Sequence, residues 1–187
     1  MSKLEVREIG PISGETEVRL ADGATAVGFG GGDDKYFHVY KKSDQTVENN
    51  VYTKAVLDTV SSDPYGAWSS SNNEYTIPSD GIYMVHSNLS AQDKGSNQGL
   101  RNVIVEIYVN GSIQDHGRNS NNLSNSSANP PVTLFANTLT RVLTLSSGDK
   151  ISWYARFSCG TPETPSALFV SGGGDNSFAW IYKVASS

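Results

Sequence analysis

Cysteine is almost missing from this chain: Cys159 is the only one in 187 residues. A lone thiol closes no intrachain disulfide and has no partner for a zinc knuckle, so neither kind of staple is expected. Cys159 reads as a small, buried or half-buried residue beside a turn. Charge is also scarce, at 18% of residues against about 25% in ordinary domains. Ser, Asn, Thr and Gly fill the polar positions instead. Basic residues are the scarcer sign, with 14 Lys and Arg against 19 Asp and Glu, a net charge of -5 and a pI near 5.1. Nucleic-acid binding needs cations gathered into a patch, and the pair Lys41-Lys42 is too short to make one. No apolar run is long enough to cross a membrane. The opening MSKLEVREIG carries Lys3, Glu5, Arg7 and Glu8, which argues against a signal peptide or an anchor and leaves a reducing cytosol as the expected site of synthesis. The Asn-x-Ser sequons at Asn88, Asn110, Asn122 and Asn125 then reflect the Asn/Ser-rich composition.

What is present is enough to fold. Hydrophobic residues make up 37% of the chain, and 18 glycines bring the apolar share close to the usual value of about 45–50%. A chain of this size buries roughly 70% of the surface that its unfolded form exposes.

Strand signals recur from one end to the other. "LEVREI" and "TEVRL" are short alternating pieces separated by Gly10, Pro11 and Gly14, with Leu4, Val6, Ile9, Val18 and Leu20 as their apolar positions. Five such residues make no core, so this arm must lie against something else. Gly28 to Gly32, followed by Asp33 and Asp34, reads as a joint, which predicts an attachment arm and hinge over 1–32 and a separate head over 33–187. The joint lacks the third spaced glycine of a dinucleotide fingerprint, and no helical pattern follows it.

In the head, "YFHVY" and "VYTKAVL" alternate, the latter with Val51, Thr53, Ala55 and Leu57 on one face. "EYTIP" leads through Ser79-Asp80-Gly81 to "IYMVHSNLS". "VIVEIYV" sets Val103, Val105, Ile107 and Val109 on one side and ends at the hairpin signal Asn110-Gly111. "RVLTL" and "KISWYARF" flank Ser147-Gly148-Asp149, and "SFAWIYKV" puts Phe178, Trp180, Tyr182 and Val184 on a common face. No window shows a capped helical stripe, so eight or more strands at about ten-residue spacing predict an all-β sandwich or barrel. The polar stretches Ser90 to Asn102 and Asp115 to Pro131 are expected as surface loops, where recognition usually resides.

Chemistry-bearing motifs are absent. His38, His86 and His116 stand in separate contexts without metal-ligand spacing, and His38 and His86 read as ordinary strand residues. There is no Gly-x-Ser-x-Gly elbow, no His-Glu-x-x-His and no Cys-x-x-Cys. Asp33 and Asp34 point to opposite sides of an extended segment and lack the spacing of a calcium loop. No enzyme, cofactor or metal is expected. A polysaccharide hydrolase of the phage-tail kind, generally a long repetitive solenoid, would show a period that this chain does not have.

The order of the pieces from about Asn49 to Val184 resembles the trimeric jelly-roll heads of the complement C1q and tumour-necrosis-factor superfamily. The matching positions are Tyr75, Pro78, Gly81 and Tyr83 in "EYTIPSDGIY", Asn110 and Gly111 after "VEIYV", Leu145, Gly148 and Asp149 in "LTLSSGDK", and Ser177 and Phe178 in the closing strand. Where that family often has a glycine two residues after the closing Phe, this chain has Trp180. The arm, "SKLEV" with the Ile, Pro, Ser-Gly, Thr, Val and Leu that follow it, resembles the opening of bacteriophage virion proteins. Together the resemblances imply a homotrimeric jelly-roll head, made in a host cytoplasm and fixed by its arm to the other proteins of a virion capsid or tail, as a decoration or fibre tip. Trp68 and the two polar loops are the expected outward surface, open to a host-surface glycan or protein. A bacterial carbohydrate- or protein-binding module of the same fold, with no virion role, is the alternative.

Overall fold

The computed structural model describes residues 35–93, 100–122, 134–159, 167–169 and 176–186. The chain divides into Met1–Asp34 and Lys35–Ser187. The arm residues Leu4, Val6, Ile9, Val18 and Leu20 lie outside the described residues, as do the hinge glycines.

Thirteen strands and no helix occur among the described residues. They are β1 (Tyr36–Tyr40), β2 (Gln45–Val47), β3 (Thr53–Lys54), β4 (Thr59–Ser62), β5 (Trp68–Ser69), β6 (Glu74–Thr76), β7 (Gly81–Asp93), β8 (Leu100–Val109), β9 (Ser112–Asn122), β10 (Leu134–Leu145), β11 (Lys150–Cys159), β12 (Ala167–Phe169) and β13 (Phe178–Ala185). All pairings are antiparallel. In the first sheet β7 is the spine: β10 runs along one of its edges, β13 and then β12 along the other, and β1 and β4 follow beyond β13. In the second, β11 pairs with β8 on one side and with β3 and β6 on the other, and β9 closes the far edge. The result is a two-sheet jelly-roll sandwich.

The core lies between the sheets, where period-2 alternation delivers its side chains. Val103, Val105, Ile107 and Val109 of β8 are all buried, as their spacing predicts, and meet Trp153, Phe157, Phe37, Val85 and Leu89. At one seam the sheets are tied by polar groups. Asn137 of β10 is fully buried and donates to the carbonyls of Val103 (2.8 Å) and Asn119 (3.0 Å), while Asn119 Nδ2 donates to Asn137 Oδ1 (2.8 Å). A buried amide left unpaired would cost about 1–3 kcal/mol, so this reciprocal set is a locking device rather than a defect.

Three sequence expectations change here. "VYTKAVL" is not a full strand: the strand proper is Thr53–Lys54, with a further bond from Ala55 N to Trp153 O (2.9 Å). Gln45 takes the next backbone groups instead, its Nε2 donating to Lys54 O (2.9 Å) and its Oε1 accepting from Val56 N (2.8 Å), so Val51 and Val56 are left exposed. The supposed loop Ser90 to Asn102 begins and ends as strand, with Ser90, Ala91 and Leu100 buried. Likewise the polar run from Asp115 continues β9 to Asn122, because its backbone pairs with β8 whatever its side chains are. Residues 94–99 and 123–133 lie outside the described residues.

Candidate self-association face

Most of the residues that carry the family resemblance gather at one end of the sandwich, around its turns, while Ser177 and Phe178 open β13 at the other end. Asn110 and Gly111 both have positive φ, 53° and 77°, the backbone that a two-residue hairpin of the primed type requires. Asn110 Oδ1 accepts from Lys150 N (2.9 Å) and its Nδ2 donates to Asp149 Oδ1 (2.8 Å), joining the two hairpin turns of the second sheet. Gly148, at φ 91°, donates its N–H to Ile77 O (2.9 Å), and Ile77 N returns a bond to Asp149 O (2.8 Å). Pro78 O accepts from Ser147 Oγ, and Tyr83 Oη donates to Ser79 O (2.7 Å). Gly81 is required for space: a Cβ there would sit 2.6 Å from Ala185 O and collide with the Lys183 side chain. Tyr75 is buried against Phe37, ring centroids 4.3 Å apart, and burial drives its phenol pKa upward. These residues are structural, and they bring no reactive group together.

Trp68 is a correction. It does not project outward: its ring packs on Phe37 (5.3 Å) and Trp153 (6.4 Å), and its Nε1 is buried without a partner. Lys41 is not a surface cation either. It is 2% exposed and donates from Nζ to Val56 O (2.9 Å), and burial lowers its pKa against the opposing pull of Asp58 and Asp44.

The outer faces of the two sheets differ in kind. On the second sheet the outward residues include charged groups, each with a partner. Lys54 pairs with Glu74 at 2.9 Å, Arg156 Nε donates to Asn50 Oδ1 (3.1 Å), and Tyr108 packs tilted on Tyr154 at 4.1 Å while donating to the buried Glu106 (3.1 Å). Burial, then the Glu106 charge, raises the Tyr108 pKa.

On the first sheet the outward positions carry no carboxylate, lysine or arginine across four adjacent strands. They are Tyr36, His38 and Tyr40 on β1, Phe178, Trp180 and Tyr182 on β13, Met84, His86 and Asn88 on β7, and Thr138, Thr140 and Val142 on β10. Core-facing Ala179 and Ile181 alternate with the three β13 aromatics, so the shared face read from "SFAWIYKV" is the outer one. A bulge between Lys183 and Ala185 breaks the alternation before Val184. His86 lies flat on Trp180 (4.7 Å, 10°) and near Phe178 (5.6 Å), and His38 packs on Phe178 (5.8 Å) and Tyr40 (6.2 Å). His86 Nδ1 shares a hydrogen bond with Thr140 Oγ1 (2.8 Å), and His38 Nδ1 shares one with Ser61 Oγ. Burial lowers both imidazole pKa values. Tyr36, His38, Trp180 and Tyr182 line an open cavity of about 350 Å³. Tyr36 stays 50% exposed and Val142 60%.

Charged side chains are what keep a sheet face in water. Here the outward positions of four adjacent strands lack them, and two of the four, β1 and β13, carry aromatic rings instead, the kind of surface that interaction sites favour. It can bury rings and exclude water. No group of three His, Cys, Asp or Glu side chains that could hold a metal ion occurs among the described residues. Sequence reasoning placed His38 and His86 in strands but missed this face, because alternation shows that two faces differ and not which one looks inward.

The two-sheet topology and this face can be set against known proteins. No family model matches the chain, and no curated protein matches it. Solved structures do. The Eiger TNF of S. frugiperda is 14% identical over 82% of this chain and 94% of that one, with a TM-score of 0.56. The globular domain of zebrafish complement 1qA is 14% identical over 82% and 98%, TM-score 0.51, and murine APRIL 13% over 80% and 98%, TM-score 0.53. The fold is the C1q/TNF jelly roll. At such low identity the likeness concerns backbone architecture, to which this chain adds its own outward surface.

Proposed function

We propose that this protein is a non-enzymatic structural component of a bacteriophage virion, a homotrimer of jelly-roll heads closed through the aromatic face of the first sheet. The observation that carries the self-association is the absence of any carboxylate or cationic chain across that face, beside Tyr36 and Val142 left half or more exposed. A head that stayed single would leave those rings in water. The second sheet, whose outer side carries Lys54, Glu74 and Arg156, is suited to remain outside. Cyclic closure removes the exposed face from every copy, and the C1q/TNF likeness supports three as the number. The attachment role rests on the arm, whose sequence resembles virion openings and whose Leu4, Val6, Ile9, Val18 and Leu20 suit strand pairing with a neighbouring virion protein.

Sedimentation of the whole chain beside a chain starting at residue 33 tests this reading, together with binding of both to purified particles. The expected result is a three-chain mass for each and particle binding only by the whole chain. A single-chain mass would refute it, and glycan binding by such a monomer would favour a carbohydrate-binding module with no virion role.

A further inference from the structure

The two histidines occupy the middle of the face that the proposed function covers, one against the β13 aromatics from β7 and the other from β1. Among the described residues, no carboxylate stands at the outward positions of β1, β13, β7 or β10. Around His86 stand Met84 and Asn88 of its own strand, Thr138 and Thr140 of β10, and Phe178 and Trp180 of β13. The nearby Arg141 guanidinium donates to Thr140 O. Around His38 stand Tyr36 and Tyr40, the hydroxyls of Thr59, Ser61 and Ser62 on β4, and the same aromatics. Tyr36 and Tyr40 bring phenols, which are neutral in acid, and at the β4 edge the Asp58 carboxylate is taken up by the N–H groups of Lys42 and Ser43 and by the Thr59 hydroxyl. The lysines flanking β1 are held elsewhere, Lys35 over the Tyr65 ring and Lys41 on Val56 O.

We infer that assembly through this face is switched by pH, with protonation of His86 and His38 releasing the copies from one another. The inference rests on the self-association reading. In a covered face an imidazolium would have neither water nor a carboxylate. The stacked Trp180 ring offers some cation–π compensation, but an unpaired buried ion loses more in desolvation than such a contact returns. Burial within the single chain already lowers both pKa values below the ordinary 6.5, and covering the face lowers them again. The sign follows from linkage. A base whose pKa is lower in the assembled state favours assembly above its free pKa, and that preference is lost as pH falls through it. Each histidine that must shed its proton weakens assembly by about tenfold per pH unit in that acid range. Every copy contributes two, so the response is steep.

The test is sedimentation velocity of the whole chain at one micromolar concentration, at about pH 7.5 and about pH 5, with tryptophan fluorescence reporting that the fold persists. The chains are the wild type, His38→Gln/His86→Gln, and His86→Phe, which keeps a stacked ring without a titrating group. His116→Gln on β9 of the other sheet is the control. The wild type and the control are expected to fall from a three-chain mass to lighter species in acid, while the double variant holds at both pH values and His86→Phe shifts toward it. A wild type that holds in acid, or variants that dissociate as it does, would overturn the switch and leave the trimer standing. A single-chain mass at neutral pH would remove the trimer and the switch together.

Discussion

Tyr36→Ala isolates the association face from the fold. The ring lies on the outer side of β1, 50% exposed, and lines the cavity with His38, Trp180 and Tyr182. Its strand is held by backbone pairing to β13 and by Ser62 Oγ donating to Tyr36 O (2.6 Å), neither of which needs the ring. Truncation should therefore cost the single head at most about 2 kcal/mol, for the half of the ring that the head itself covers, and leave it folded. A tyrosine buries roughly 150–250 Å², so half of it leaves about 100 Å² for a partner to cover. At about 25 cal/mol per Å² that is roughly 2.5 kcal/mol per copy, and about 7 kcal/mol over three copies. The trimerisation constant should fall by about 10⁵, which moves the half-dissociation concentration by roughly 300-fold because that concentration varies as the inverse square root of the constant. Dilution series in an analytical ultracentrifuge or by mass photometry read this shift directly. An unchanged half-dissociation concentration in a folded Tyr36→Ala chain would refute the assignment of the face.

Other consequences concern the fold that carries the face. Trp68→Ala should cost about 2–4 kcal/mol in denaturant unfolding, since the indole packs on Phe37 and Trp153, whereas an outward-facing tryptophan would cost under about 0.5 kcal/mol. Gly81→Ala should destabilise by about 1–3 kcal/mol, because its methyl meets the Ala185 carbonyl and not merely a movable side chain. Asp58→Asn should lower stability at neutral pH by up to about 1 kcal/mol after solvent screening. Burial alone would raise the Asp58 pKa, but the N–H groups of Lys42 and Ser43, the Thr59 hydroxyl and the Lys41 charge outweigh it and hold it below the ordinary 3.8. That stabilisation is present above about pH 4 and vanishes as pH falls through the depressed value, so wild type and variant should converge in acid unfolding curves.

The second sheet was the more legible half of the sandwich. "VIVEIYV" and "ISWYARF" place a core residue at every second position, and Asn110-Gly111 and Ser147-Gly148-Asp149 supply turns whose backbone only those residue types adopt easily. Elsewhere hydrogen-bonded polar residues stand where alternation calls for apolar ones. In β10 the inner face runs Phe135, Asn137, Leu139, Arg141, Leu143, Leu145, and the buried Asn137 hides the strand's first half from any hydrophobic count. Between Lys42 and Trp68 many backbone groups are met by the Gln45, Asp58, Asp63 and Asn73 side chains, an arrangement with no period to read. The association face eluded sequence reasoning for a different reason. In "FAWIY" the larger rings lie outside and the smaller Ala179 and Ile181 inside, the reverse of what size alone would predict for a lone sandwich. Sheets that bury both faces read this way.

Hydroxyl-radical footprinting across a dilution series tests the covered face most directly, with Tyr65, exposed on the β4–β5 connection, as the internal reference. Tyr36, Trp180 and Tyr182 should become protected as the concentration rises through the assembly range while Tyr65 reacts unchanged. Full reactivity of all three rings at concentrations where the chain sediments as an oligomer would contradict the account.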